Sequence, residues 1–265
     1  MLVLLPPSEG KATVDRGPGL DLGALSLPGL TPAREAVLAE LVDLCSGDAE
    51  KAREVLGLSP GLRDEVGKNA RLRDAPVRPA AEIYTGVLYD NLGPASLSAD
   101  ARRRASASLL VFSALWGAVG FDDPIPAYRL SGGVKLPGIG GLAAHWRDVL
   151  AEELPRAAGD GPVLDLRSSA YASMWKPKGA LAERTATVRV LQSRVVDGVE
   201  KRTVVSHFNK ATKGRIVRDL LEAGAAPATL EELHRVLGAL GYSVETSKPV
   251  AAGRPQRFDV VVGQV

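Results

Sequence analysis

Reactive side chains crowd most densely into Ser206-His207-Phe208-Asn209-Lys210-Ala211-Thr212-Lys213-Gly214-Arg215. Read as a hairpin strand running into a helix N-terminus, this segment sets cations where the macrodipole and free amides favour an anion. Lys210, Lys213 and Arg215, with Gly214 among them, then ask for a phosphate-bearing partner or for buried carboxylates. In a catalytic reading Lys210 or Lys213 stabilises negative charge, His207 moves a proton, and Tyr171 or Ser168 orients it. The plainer reading is a solvated basic turn.

Ser8-Glu9-Gly10-Lys11 offers a hydroxyl, an ammonium and backbone amides directly after an apolar run. Such a turn can hold phosphate as an anion nest, although it lacks the Walker A spacing. Ser168 and Tyr171 follow another apolar run within Asp165-Leu166-Arg167-Ser168-Ser169-Ala170-Tyr171. A helix cap explains either serine equally well, and the Gly-x-Ser-x-Gly elbow of serine hydrolases is absent. Tyr84, Trp116, Tyr128 and Arg129 add aromatic faces and a guanidinium, suited to a nucleobase with its phosphate or simply to packing. Leu136-Pro137-Gly138-Ile139-Gly140 resembles the turn of a helix-hairpin-helix module but follows a non-helical Ser131-Gly132-Gly133. Leu56-Gly57-Leu58-Ser59-Pro60-Gly61-Leu62 has expected helices on both sides and charge-mixed flanks.

These groups need elements to position them. Met1 to Leu5, Leu109 to Phe112 and Val163 to Leu166 read as buried strands. Helices are expected from a Thr31 cap with Pro32 behind it, over Ala49 to Leu56, Pro60 to Val66 and Ala80 to Asn91. Others start after Ser98, run from Leu142 to Leu154 and from Lys213 to Ala223, and open with a Thr229…Glu232 capping box. Gly117 to Gly141 reads as loop. Asp197-Gly198 joins Thr185–Val196 to Lys201–His207 as a hairpin, and Tyr242–Thr246 with Arg257–Val262 forms a second. Without a regular β-α alternation, the expected fold is α+β. It is a single domain over 1–265 with a mixed central sheet, two C-terminal hairpins and surrounding helices, the stretch 31–107 being mainly helical.

Composition narrows the partners. Lys plus Arg number 33 against 31 Asp plus Glu among 265 residues, so no global positive field exists for nucleic acid. Cys45 is the single cysteine, which excludes an internal disulfide or a cysteine cage. The three histidines are too dispersed for a metal spacing, and neither metal nor cofactor is expected. No apolar stretch suits a membrane span, the start lacks a basic n-region, and a cytoplasmic location is expected.

Together the segments resemble the YaaA proteins, also classed as UPF0246. The likeness rests on the Lys11 segment, Tyr84-Thr85-Gly86, Ser113-Ala114-Leu115-Trp116-Gly117, Pro126-Ala127-Tyr128-Arg129-Leu130 and Trp146. Leu166-x-Ser168-x-x-Tyr171, Lys176-Pro177-Lys178 and Lys210-x-x-Lys213-Gly214 complete it. The resemblance implies a role in peroxide stress and an α+β fold that binds DNA through a helix-hairpin-helix element. Two functions follow as expectations. One is a stress protein binding DNA through Lys210, Lys213, Arg215 and Arg218, with Arg102 to Arg104. The other is an enzyme acting on a nucleotide-like or phosphorylated small molecule.

Overall fold

The computed structural model describes residues 1–196, 199–204, 206–247 and 251–263. Asp197-Gly198, on which the hairpin expectation turned, lies outside the described residues.

Strand β1 (Leu2–Leu5) is buried along its whole length, as an unbroken apolar run in the middle of a sheet must be. Helix α1 (Thr31–Ser46) follows a long connection that includes two 3-10 turns, Leu22–Ala24 and Pro28–Leu30. Thr31 is not its cap: Leu30 holds that position, and Pro32 supplies the fixed φ of the first turn. Helices α2 (Ala49–Val55) and α3 (Asp64–Ala70) come next, with the residues Pro60–Leu62 between them wound as a short 3-10 turn. Strand β2 (Val77–Pro79) leads into α4 (Ala80–Ile83) and α5 (Val87–Leu92). The single helix expected from Ala80 to Asn91 is therefore broken at Tyr84-Thr85-Gly86. Tyr84 bridges to Lys11, and Gly86 adopts φ 91°, which only glycine takes without strain.

Helix α6 (Ala99–Ser108) begins at Ser98, whose hydroxyl accepts from the amide of Ala101 as the sequence predicts. It delivers β3 (Leu109–Ser113), which turns back into β4 (Gly117–Gly120). Short strands β5 (Pro124–Pro126), β6 (Lys135–Leu136) and β7 (Gly140–Gly141) occupy the segment expected as loop. Helix α7 (Leu142–Ala158) precedes β8 (Val163–Asp165), α8 (Ser169–Ala172) and α9 (Gly179–Glu183). Strands β9 (Thr185–Val196) and β10 (Val199–Thr203) are antiparallel, as expected. Helix α10 (Ser206–Glu222) starts seven residues ahead of the Lys213 expected, so His207 to Lys213 is helix rather than turn. Helix α11 (Leu230–Ala239), capped by Thr229, leads to the antiparallel pair β11 (Ser243–Ser247) and β12 (Gln256–Val262).

The central sheet is mixed, in the order β11-β12-β9-β8-β1-β3-β4, with β10 also on β9. Its middle, from β12 to β3, is parallel, while β4, β10 and β11 add antiparallel pairs. Side chains from Leu2 to Val260 form one contiguous core. From β1 the chain first builds β3 on one side, then returns to lay β8 on the other. Between β1 and β8, therefore, connections depart in opposite senses, and a crevice opens beyond the strands' carboxyl ends.

Candidate functional site

A cleft of about 500 Å³ fills that crevice. The chain leaving β1 supplies Pro6 to Gly10, the chain leaving β8 supplies Leu166, Ser168 and Tyr171, and α10 supplies Asn209, Lys210 and Lys213. The loop-to-helix stretch from Thr85 to Tyr89 closes the remaining wall. Residues more than two hundred positions apart thus meet because β1 lies beside β8 and α10 packs on α5.

Lys213 lies at the floor and is only 7% exposed. Its Nζ donates to the carbonyl of Leu166 at 3.0 Å, and among the described residues no carboxylate lies within ion-pair distance. Burial pushes its pKa down to about 8, opposed by the charge of Asp165. Asp165 is already engaged: Arg167 binds both its oxygens, at 2.9 and 2.7 Å, with its guanidinium over the rings of Phe112 and Trp175. Lys210 is exposed at the mouth. Asn209 Oδ1, also lining the cleft, is buried without a hydrogen-bond partner. Ser168 occupies the cap position of α8, yet its hydroxyl caps no amide. Tyr171 packs its ring against Gly132, and burial raises the phenol's pKa.

The Ser8–Lys11 turn separates this cleft from a second recess of about 570 Å³ that reaches Lys11, Tyr128 and Arg129. Lys11 Nζ donates to the carbonyl of Ser8 at 3.0 Å and sits 4.1 Å from the ring centre of Tyr128 and 5.5 Å from that of Tyr84. Burial lowers its pKa to about 8, the Glu9 charge opposing and Arg129 adding to the effect. Ser8 Oγ donates to the Gly10 carbonyl and accepts from the amide of Thr85. Arg129 pins the turn from outside, donating to the Glu9 carbonyl at 3.0 Å and pairing with its carboxylate at 3.3 Å. Arg129 is itself placed by the buried Asn69 of α3, whose amide exchanges two hydrogen bonds with the Arg129 backbone.

Beneath Lys11 runs a hydrogen-bonded chain of defined direction. The Ser113 Oγ accepts the amides of Leu115 and Trp116, so its proton goes to Tyr128 at 2.6 Å, and Tyr128 donates to Tyr84 at 3.0 Å. Burial pushes both phenols up, keeping them protonated.

Of the residues expected from sequence, Ser8, Ser168, Tyr171, Lys210 and Lys213 share the cleft, and Lys11, Tyr128 and Arg129 line the neighbouring recess. Tyr84 lies under Lys11 in the core. Trp116 is wholly buried, edge-on to Tyr128, and reaches neither space. Gly214 serves packing: a Cβ there would stand 2.2 Å from the Leu88 carbonyl. Arg215 is exposed on α10 away from the lining. The side chain of His207 lies outside the described residues. Glu9, Thr85, Tyr89, Ser113 and Asn209 were missed. Glu9, Thr85 and Asn209 sit one position from expected residues, Ser113 three and Tyr89 five, so only proximity to the motifs could have flagged them.

Part of the basic strip expected for DNA, Arg102 to Arg104 and Arg218, is engaged within the protein. Arg102 pairs with Asp122 and Arg103 with Asp100, while Arg104 donates to the Leu221 carbonyl. Arg218 binds the carbonyls of Leu92, Gly93 and Ser96. Around the Leu56–Leu62 turn, Arg53 and Arg63 meet Glu50 and Lys68 meets Glu65. Among the described residues no acidic, histidine or cysteine cluster could hold a metal ion, and no helix is long and apolar enough to cross a membrane.

Comparison with known proteins gives a consistent answer. A family model described as "Peroxide stress protein YaaA" matches residues 1–248. The chain is 66% identical over 265 residues to a UPF0246 protein of Streptomyces coelicolor, covering 100% of both. It is 41% identical over 266 residues to a UPF0246 protein of Corynebacterium efficiens, covering 99% of this chain and 100% of the other. An uncharacterized protein of Campylobacter jejuni is 25% identical over 216 residues, 81% of this chain and 82% of its own length.

Proposed function

The chain belongs to the YaaA family of peroxide stress proteins, and from that premise we propose that it acts on a phosphorylated or nucleotide-like small molecule bound between β1 and β8. The observation that carries this reading is Lys213: a buried ammonium facing the cleft with no carboxylate in ion-pair contact among the described residues, Asp165 being held by Arg167 and Glu9 by Arg129. Burying a charge without a partner is costly, and an anionic ligand removes that cost. Lys210 at the mouth draws the anion in, Lys213 meets it at the floor, and Ser168 and Tyr171 contribute hydroxyls. The unpartnered Asn209 Oδ1 asks for a donor on the same ligand. Lys11 and Arg129 hold the Ser8–Lys11 turn that forms one wall.

DNA binding is the other function the sequence leads one to expect. It is the weaker reading because the cations of the Leu56–Leu62 turn and of α6 are already paired. One experiment separates the two. Adenosine monophosphate at about a hundred times its Kd should stabilise the protein by about 2.7 kcal/mol, a shift of several degrees in Tm, and adenosine should not. Lys213→Ala should abolish the shift. Duplex binding that weakens steeply with salt, together with no nucleotide shift, would put DNA in place of the cleft ligand.

A further inference from the structure

We propose that Lys213 is a nucleophile as well as a charge: the cleft takes a phosphate-bearing aldehyde or ketone, whose carbonyl carbon forms an imine with Lys213 Nζ. This rests on the reading of the cleft as an anion site and names the reactive group of its substrate.

The geometry supplies the argument. An amine used as a nucleophile must be unprotonated part of the time, and a carboxylate in contact would hold it charged. Lys213 has no such contact among the described residues; the nearby Asp165 carboxylate is turned onto Arg167 at 2.7 and 2.9 Å. The bond to the Leu166 carbonyl fixes Nζ at the cleft floor. Lys210, three residues earlier and exposed at the mouth, lines the same cleft as a second cation. With the pKa lowered to about 8, roughly a tenth of the amine is neutral at pH 7. An ordinary lysine has a few parts in ten thousand.

The step balances without a further reactant. The Nζ lone pair adds to the carbonyl carbon, and an N–H proton passes to the carbonyl oxygen, giving a carbinolamine. That oxygen then leaves as water with a second proton, and the carbon–nitrogen double bond remains. Tyr171 and Ser168 stand at the cleft wall where hydroxyls can relay those protons. Tyr171 is held as a phenol, so it has a proton to lend. Lys210 holds the phosphate near the mouth, so that the carbonyl points to the floor.

Pyridoxal 5′-phosphate is a suitable probe, being a small aldehyde that carries phosphate. The full-length protein is incubated with it at pH 7, reduced with borohydride, and mapped by peptide mass. The expected result is one phosphopyridoxyl group at Lys213, formed at least about tenfold faster than at any surface lysine. Inorganic phosphate should slow it, and pyridoxal lacking phosphate should react poorly. Lys213→Arg, which keeps the charge but cannot form the imine, should lose the label while its Tm shows that it folds. Labelling spread evenly over surface lysines would overturn the imine. If phosphate shifts the Tm but Lys213 stays unlabelled, the imine fails and the anion site stands. No phosphate effect of either kind would remove both.

Discussion

An ammonium lifted out of water is destabilised relative to its neutral form, and at Lys213 this fixes the sign of a stability measurement. Its folded pKa of about 8 lies below the ordinary 10.5, so the unfolded chain binds the proton more tightly. The burial cost is present in full below about pH 8 and is lifted as pH rises from about 8 to 10.5. That gap corresponds to about 3 kcal/mol. Lys213→Met removes the cost but strips the Leu166 carbonyl of its donor, which offsets about 1–3 kcal/mol. Urea denaturation should find the variant more stable by about 1 kcal/mol at pH 7 and less stable above pH 10.5. A difference that ignores pH would mean that Lys213 titrates as a surface lysine. Cys45 gives a second expectation at this scale. Burial pushes its thiol up to about 11, and peroxide attacks thiolates, so the protein should gain no oxygen at Cys45 during peroxide exposure at pH 7, as read by intact mass. In a peroxide stress family, that outcome separates the response from a cysteine sensor in this chain. Residue types were legible in the sequence: Lys210, Lys213, Ser168 and Ser8 were all singled out. Environment was not. That Lys213 is buried while Lys210 three positions away is exposed depends on what packs against α10.

Helix α10 is seated on α5 through Gly214, and that contact decides how deep Lys213 lies. A methyl group at Gly214 would stand 2.2 Å from the Leu88 carbonyl and 2.9 Å from Asn91 Cβ. Alanine would otherwise favour a helix by about 1 kcal/mol over glycine, yet here the clash with backbone dominates. Gly214→Ala should cost about 2–3 kcal/mol in denaturant midpoint and weaken nucleotide binding, because α10 must lift and carry Asn209 and Lys213 with it. A stabilising Gly214→Ala would show that the two helices are not in contact. Elements with strong local signals were readable: β1 and β3 from unbroken apolar runs, β8 from a run interrupted only by Asp165, α6 and α11 from their caps. The break between α4 and α5 was not, because it comes from Lys11 bridging to Tyr84 across more than seventy residues. The strands from β4 to β7 were equally hidden, since two to four residues rich in glycine and proline carry no periodicity. The early start of α10 was missed because its first turns, Ser206 to Thr212, are polar and β-branched in part and lack a capping signature.

At the scale of the molecule, strand order is what makes a site of these parts, and strand order was not legible. Nothing local says that β1 lies between β3 and β8, or that α10 closes the crevice. The aromatic motifs did mark one end of the sheet, for Tyr84, Tyr128 and Tyr171 all gather there, although Trp116 and Trp146 proved to be core. Near-balanced charge also has a visible form: the arginines of α6 and the Leu56–Leu62 region are spent on neighbouring carboxylates and carbonyls, whereas Lys213 in the cleft is buried with only a carbonyl for a partner. The central position of β1 has a consequence for the protein's birth. Both partners of Leu2–Leu5 lie far downstream, β3 about a hundred residues later and β8 later still. At ribosomal speeds of about 5–20 residues per second, that apolar strand waits roughly 5–20 seconds before Leu109 is even made. The cleft waits longer, until Lys213 has left the exit tunnel. A nascent chain of this protein therefore carries a sticky, unpaired strand while about a hundred further residues are added, and a chaperone that shields it would be working at the very segment from which the site is later built.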